Sequence, residues 1–397
     1  MSELNRDLNL GADPVALTQA LVRLNTVNPP GHEDQCVELL ADLLSDAGFA
    51  CQTHEFAPRR TSLVARLGGQ AGSPRAPLAF TGHLDVVPLG NAAWTHDPFG
   101  AEIVDGRLYG RGSSDMKSGV AAFVCAAIAH AQRCRDGRFD SVSGPGLSLI
   151  LTAGEETGCE GAFAMASSPQ ARELLGSAGA LVVAEPTSNA PLLGHKGAFW
   201  LAAEASGVTA HGAMPERGDN AIYKIARAAL ALESFKFDTP AHALMGSPTL
   251  NVGTARGGLN INSVPDAAEL GIDIRSVAGQ SHAQVMQCLC RVLGGQVRLR
   301  TLLDVGSVFT EPTDPWMKRV FALCSSRTGH APALGTVAYF TDAAALRLPL
   351  GMPPVVILGP GEPAMAHQTD EYCRVDRIVE AQALFTDLID DWCGVGA

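Results

Sequence analysis

Apolar runs of strand length punctuate the chain: Thr61–Leu67, Pro77–Thr81, Leu147–Thr152, Ala180–Ala184 and Val355–Leu358. They are nearly continuous in apolar residues rather than alternating. A strand that is apolar on both faces has to be covered on both faces, the pattern of a parallel sheet clothed by helices. Helical stretches lie between the runs, such as Ser118–Gln132. Two more helices open the chain. One begins at Asp13-Pro14, an N-cap followed by a first-turn proline. The other covers Asp34–Ala47, after the breaker Asn28-Pro29-Pro30-Gly31. The reading is an α/β fold with a mostly parallel central sheet.

The middle of the chain reads differently. Strand Ala198–Ala205, helix Asn220–Leu232, strands Thr249–Thr254 and Ala268–Arg275, helix Gln280–Leu293 and strand Gln296–Leu302 describe a small α+β domain. It is inserted into the larger one. The expected division is 1–190 and 304–397 for the larger domain and 191–303 for the insert. Gly68–Pro77, rich in Gly, Pro and Ala, reads as a surface loop.

Composition narrows the function. With 46% hydrophobic and 18% charged residues the chain can bury a large core. A net charge of −12 argues against nucleic acid and against an anionic membrane surface as partners. The start MSELNRDLNLGADP has no basic segment leading into an apolar run, so no signal peptide is expected. Val120–Ala131, the most apolar helical stretch, is too short to span a bilayer. The ten cysteines form no C-x-x-C pair, and Cys288 and Cys290 lack a zinc-ribbon spacing. Reduced cysteines and a cytoplasmic protein are the expectation.

Several apolar strands end in acids or histidines. Pro77–Phe80 leads to His83 and Asp85, Leu149–Leu151 to Glu155 and Glu156, Leu181–Val183 to Glu185, and Val355–Leu358 to His367. The glycine-rich stretch Gly110–Lys117 adds Asp115. In open α/β sheets ligands bind beyond the carboxyl ends of the strands. Each piece alone has a plainer reading: a hydrogen-bonded His-x-Asp pair, a solvated Glu-Glu turn, a loop histidine. Together they supply the ligand types that zinc accepts. Two histidines and three carboxylates suit two ions sharing a bridging carboxylate, with a water between them. His83 and Asp85, two apart on an extended chain, point to one face, so Asp85 can orient the ligating imidazole.

At these residues the chain resembles the M20 metallohydrolases, a group that includes acetylornithine deacetylase, succinyl-diaminopimelate desuccinylase, aminoacylases and several peptidases. The resemblance lies in Gly82–Pro88, Asp105–Lys117, Glu155-Glu156, Ala184–Thr187 and Ala366–Glu371. It implies a zinc-peptidase-like catalytic domain with an inserted dimerisation or lid domain. Asp115 would bridge two Zn²⁺, with a cis peptide to Met116. His83 and Glu185 would complete one ion's ligands, Glu156 and His367 the other's. Co²⁺ or Mn²⁺ would fit the same ligands. Glu155 would be the general base and acid. His211 would cross the interface of a homodimer and stabilise the oxyanion. In the segment Gly253–Arg275, Asn262 and Arg275 would contact substrate. Tyr339–Ala343, including Thr341, resembles the substrate loop of acetylornithine deacetylases, whereas Ser113–Lys117 is closer to desuccinylases.

The leading expectation is a dinuclear zinc amidohydrolase that removes an acyl group from an N-acyl amino acid. It would be acetylornithine deacetylase-like, with hydroxide generated at the metals attacking the amide carbonyl. A desuccinylase, a dipeptidase or a carboxypeptidase on the same site is the alternative. A non-catalytic metal-binding protein would be expected to lack the base or a ligand, and none is missing here.

Overall fold

A computed structural model describes residues 10–68, 75–136 and 144–394. Most of the expected Gly68–Pro77 loop lies outside the described residues. The chain forms two compact units. Unit 1 comprises residues 1–194, 310–335 and 341–397, and unit 2 comprises 195–309 and 336–340. The division therefore falls a few residues beyond the expected boundaries, and a short returning segment joins unit 2. The backbone explains that return, because His195 pairs with Val337 and the Lys196 N–H donates to the Val337 carbonyl at 3.0 Å.

Unit 1 is built on six strands: β1 (Ala50–Ala57), β2 (Arg60–Leu67), β3 (Leu78–His83), β6 (Leu147–Thr152), β7 (Ala180–Val183) and β14 (Val355–Ile357). Their order is β1-β2-β6-β3-β7-β14. β6, β3, β7 and β14 are mutually parallel, while β2 is antiparallel to both β6 and β1. Only β2 therefore runs against the rest. β3, β6, β7 and β14 are buried at every residue, as continuous apolar runs require. β1 was not legible in the sequence. It is a polar edge strand with no buried residue, and its pairing with β2 needs no apolar run.

The helix Ser118–Arg135 is buried around most of its circumference and packs along the C-terminal helix Val375–Cys393. Small residues make this possible. A Cβ on Gly119 would lie 2.1 Å from the Ala184 carbonyl oxygen, so only glycine lets the helix approach the end of β7. Phe80 of β3 stacks on Phe123 of this helix, centroids 5.6 Å apart, and meets Phe385 edge-on at 5.5 Å. A smaller ribbon of β15 (Tyr372–Arg374), β5 (Arg107–Tyr109) and β4 (Ile103–Val104) links the glycine-rich stretch to the C-terminal segment.

In unit 2, β9 (Gly197–Ser206), β10 (Thr249–Gly257), β11 (Ala267–Ser276) and β12 (Arg298–Val305) form an antiparallel sheet in the order β10-β11-β9-β12. Period-two alternation decides its faces. Phe199, Leu201, Ala203, Leu270, Ile272 and Ile274 pack against the helices Ala221–Glu233 and His282–Leu293. Trp200, Glu204, Asp273 and Arg275 occupy the alternate positions. Asn220 and Ser281 cap the two helices. β8 (Gly194–His195) and β13 (Val308–Phe309) form a two-stranded ribbon. His282 ties the unit's elements together: its Nδ1 meets Asp304 Oδ1 at 2.5 Å and its Nε2 meets Ser276 Oγ at 2.7 Å. Ser276 is fully buried, so this Ser-His-Asp chain is closed to substrate and acts as a structural tie.

The aromatic contact of β3 with two helices generates a prediction. Phe80→Ala should lower unfolding free energy by about 3–5 kcal/mol, read as a shifted urea midpoint with little change in slope. A loss below about 1 kcal/mol would mean that the aromatic cluster does not anchor the sheet.

Candidate metal centre

The parallel strands end on one edge of the sheet. His83 closes β3 opposite Thr152 of β6, and Thr81 pairs with Val183 of β7. The next residues of each strand therefore fall at one rim, which collects Asp85, Glu155, Glu156 and Glu185. Asp115 reaches the same place from the turn Ser113–Lys117, and its peptide bond to Met116 is cis. His367 comes from the loop after β14, with its backbone in the left-handed region at φ 64°.

The distances define a cluster around Asp115. Its Oδ1 lies 3.1 Å from His83 Nε2 and its Oδ2 lies 3.3 Å from His367 Nε2. One carboxylate thus stands between two imidazoles, each facing a different oxygen. Glu185 Oε1 is 3.9 Å from His83 Nε2, and Glu156 Oε2 is 3.1 Å from His367 Nε2. His83, Asp115 and Glu156 present ligand atoms within 4.8 Å of one another. His83 is buried, whereas the His367 side chain is 52% exposed, so the site opens on the His367 side.

Asp85 works through two groups. Its main-chain carbonyl accepts from His83 Nδ1 at 2.9 Å, leaving Nε2 to face the carboxylates. Its carboxylate, 3.6 Å from the imidazole, instead accepts the backbone N–H of Glu155 at 3.1 Å and of Glu156 at 3.2 Å. Asn28 Nδ2 donates to the same carboxylate at 2.9 Å. The side chain expected to orient the imidazole therefore anchors the Glu155-Glu156 turn, and the backbone holds the ring.

The electrostatics are those of an acidic cluster short of positive charge. Burial raises the Glu155 carboxyl well above the usual range; His83 opposes this, while Glu185, Asp342 and Glu156 add to it. Burial and then Asp115 raise Glu185 in the same way, and raise Glu156 against the pull of His367. Burial also pushes Asp115 up, but hydrogen bonds from His367 and His83 hold it well below the usual carboxylate range. Hydrogen bonds to Asp115 and Glu156 raise His367 to about 10. Glu156 Oε1 is buried with no hydrogen-bond partner. An orphaned carboxylate oxygen beside repelling carboxylates fits a divalent cation, and this donor set of imidazole nitrogens and carboxylate oxygens suits zinc, cobalt or manganese.

Other expected residues fall elsewhere. Thr341, expected at substrate, is completely buried, and its hydroxyl accepts the Ala343 N–H at 3.2 Å. With no exposed surface it serves the start of the short helix Ala343–Leu346. His211 and Asn262 are neighbours in unit 2, where His211 bridges Ser263 and the Gly212 N–H donates to the Asn262 carbonyl at 2.7 Å. Both are exposed. Arg275 pairs with Asp273, Nε to Oδ1 3.0 Å, and Trp200 Nε1 donates to the same carboxylate at 2.9 Å. Sequence reasoning gave no part to Arg111, Asp342 or Glu371. Asp342 is buried and accepts from the Thr152 hydroxyl. Its position directly after Thr341, in a stretch already noted for substrate, was the only signal.

Among the described residues no helix is long and apolar enough to cross a membrane. The fold and the acidic, imidazole-bearing site define a metal-dependent amide hydrolase. The chain belongs to peptidase family M20/M25/M40, which it matches over residues 79–391. It is 32% identical over 394 residues to the succinyl-diaminopimelate desuccinylase of Roseobacter denitrificans, covering 96% of this chain and 98% of that one. Its fold is similar to that of an aminopeptidase from Bacillus cereus, with a TM-score of 0.73, 20% identity and coverage of 96% and 98%. It is also similar to a Bacillus subtilis protein described as a dinuclear metal binding peptidase of the M20 family, with a TM-score of 0.70, 14% identity and coverage of 98% and 99%.

The His367 environment predicts the proton balance of metal binding. A protonated imidazole has to lose its proton before it can ligate, so affinity should rise with pH through the neutral range. Calorimetric titration with Zn²⁺ at pH 7, in buffers of different ionisation enthalpy, should show release of about one proton or more per chain. His367→Ala should reduce that release. A release unchanged in the variant would remove His367 from the ligand set.

Proposed function

We propose that the protein hydrolyses the amide bond of an N-acyl amino acid, with an N-succinyl group as the leading candidate. The observation that carries the hydrolytic reading is the Asp115 carboxylate set between two imidazoles, with the buried Glu155 carboxyl within electrostatic reach of one of them, His83. His83, Asp115 and Glu185 would hold one divalent ion, and Asp115, Glu156 and His367 a second. When bound, the ions supply Lewis acidity toward the amide carbonyl and lower the pKa of a water. Glu155, its proton affinity raised by burial, takes the proton from the attacking water and returns it to the departing amine. The turn fixed by Asp85 supports this division of labour, because it holds both backbone N–H groups of Glu155-Glu156 while the Glu156 carboxylate meets His367.

The acyl group rests on the relatives. The acetylornithine deacetylase-like expectation gives way to the desuccinylase alternative, which the desuccinylase relative supports over nearly its whole length. Ser113–Lys117, closer to desuccinylases from the outset, agrees with it. The test is a panel of N-succinyl and N-acetyl amino acids and dipeptides, each assayed with the metal-loaded protein. A kcat/KM highest for an N-succinyl amino acid is expected. A clear preference for N-acetyl substrates or dipeptides would overturn the acyl assignment. Glu155→Gln should lower kcat by about 10²–10⁴-fold with metal content unchanged. Near-normal kcat would remove Glu155 as the base.

Unit 2 would provide the contact of a homodimer. Leu259 and Ile261 support this, as they stand fully exposed on the loop after β10, and so do Tyr223 and Leu230 on the helix Ala221–Glu233. His211 Nδ1 accepts the Ala213 N–H at 3.1 Å, which leaves the proton on an exposed Nε2, ready to donate to an oxyanion. Mixing His211→Ala chains with Glu155→Gln chains should restore part of the wild-type activity if His211 acts across the dimer. Mixed dimers as inactive as their parents would place His211 outside the partner's site.

A further inference from the structure

We infer that Glu371 and Arg111 act as a positioning pair that sets the two oxygens of Asp115 between the imidazoles of His83 and His367. The inference rests on the metal-dependent reading of the site. The Glu371 carboxylate is completely buried and fully used. Its Oε1 accepts the backbone N–H of Ser114 at 2.9 Å and of Asp115 at 3.0 Å. Its Oε2 accepts the Gly112 N–H at 3.1 Å and Arg111 Nη1 at 2.7 Å. Three backbone N–H groups of the glycine-rich stretch, those of Gly112, Ser114 and Asp115, are thus held by a single side chain, which dictates the path of the backbone into Asp115.

Arg111 carries the reference outward. Its Nη1 also donates to the Gln368 carbonyl at 3.1 Å, next to His367, and its Nη2 donates to the Pro88 carbonyl at 3.2 Å, on the segment that follows His83 and Asp85. The guanidinium sits 5.1 Å from the centre of the Trp94 ring. Ser114 adds a cross-tie: its hydroxyl donates to the Tyr372 carbonyl at 2.7 Å and accepts the Glu362 N–H at 2.8 Å. The segments bearing His83, Asp115 and His367 are therefore indexed to one buried ion pair that is not itself among the candidate ligands.

The chemistry requires glutamate. Four donors converge on the carboxylate, and a carboxylate is acceptor-only at both oxygens. Glutamine has the same length but replaces one oxygen with a donor, which would face two N–H groups and leave them unpaired. Lysine at 111 keeps the charge but loses the planar fork that reaches three acceptors.

The test uses full-length Glu371→Gln and Arg111→Lys proteins, titrated with Co²⁺. Visible absorption reports ligand geometry and calorimetry reports affinity. A positioning role predicts folded proteins with an altered Co²⁺ spectrum and metal affinity weakened about 10–100-fold, the range found when groups that orient ligands are lost. kcat should fall more than KM rises, and Arg111→Lys should show the smaller effect. Spectra and affinities within about twofold of wild type would overturn the inference. So would failure of both variants to fold, which would make the pair an element of the fold rather than of the site. A wild-type protein that binds Co²⁺ normally yet hydrolyses nothing in the panel would sink the functional reading and leave this inference standing.

Discussion

Asp115, Glu155, Glu156 and Glu185 share one rim of the sheet, and at that distance their charges repel. Burial strengthens the repulsion, because low-dielectric surroundings penalise each charge and screen none of the others. Two imidazoles, His83 and His367, balance the cluster in part, and burial raises the carboxyl pKa values of Glu155 and Glu185. An orphaned oxygen on Glu156 remains. The rest of unit 1 can be read as the apparatus that holds this unfavourable arrangement in place. Its aligned parallel strands deliver the acids, a helix of small residues supports the end of β7, and a buried carboxylate nest shapes the turn that carries Asp115.

That apparatus explains why adjacent glutamates follow an apolar strand. β6 runs buried to Thr152, and the Asp85 carboxylate then receives the two backbone N–H groups that the turn would otherwise leave unpaired. The turn is held through its backbone, so neither glutamate side chain is needed to hold it. The same device recurs at Glu371, where side-chain oxygens satisfy the N–H groups of a tight turn and leave Asp115 free. In both places a buried acid organises backbone so that another acid can face the reacting groups.

Much of this was legible in the sequence, for physical reasons. Strands apolar on both faces announce a covered parallel sheet, and the acids and histidines after them mark the carboxyl rim. The structure brings His83, Asp115, Glu156, Glu185 and His367 together as that pattern suggests. Other features leave no such trace. β1 is polar because this edge strand buries none of its residues. The Asp85 carboxylate was assigned to the imidazole because residue spacing reports direction but not which donors arrive from elsewhere. Glu371 and Arg111 are far apart in sequence, and only folding reveals that they meet. Thr341 illustrates the reverse error, since a polar residue in a promising stretch was turned entirely inward. The acyl group was beyond reach because motifs around a metal site specify the bond cleaved and say little about what flanks it.

The central claim is that the acidic rim exists to hold two divalent ions with Asp115 between them. Crystals grown with Zn²⁺ and measured on both sides of the zinc absorption edge test it directly. The account predicts two anomalous peaks per chain, one contacting His83, Asp115 and Glu185, the other Asp115, Glu156 and His367. No peak at this rim, or a single peak that leaves Asp115 uncoordinated, would contradict it.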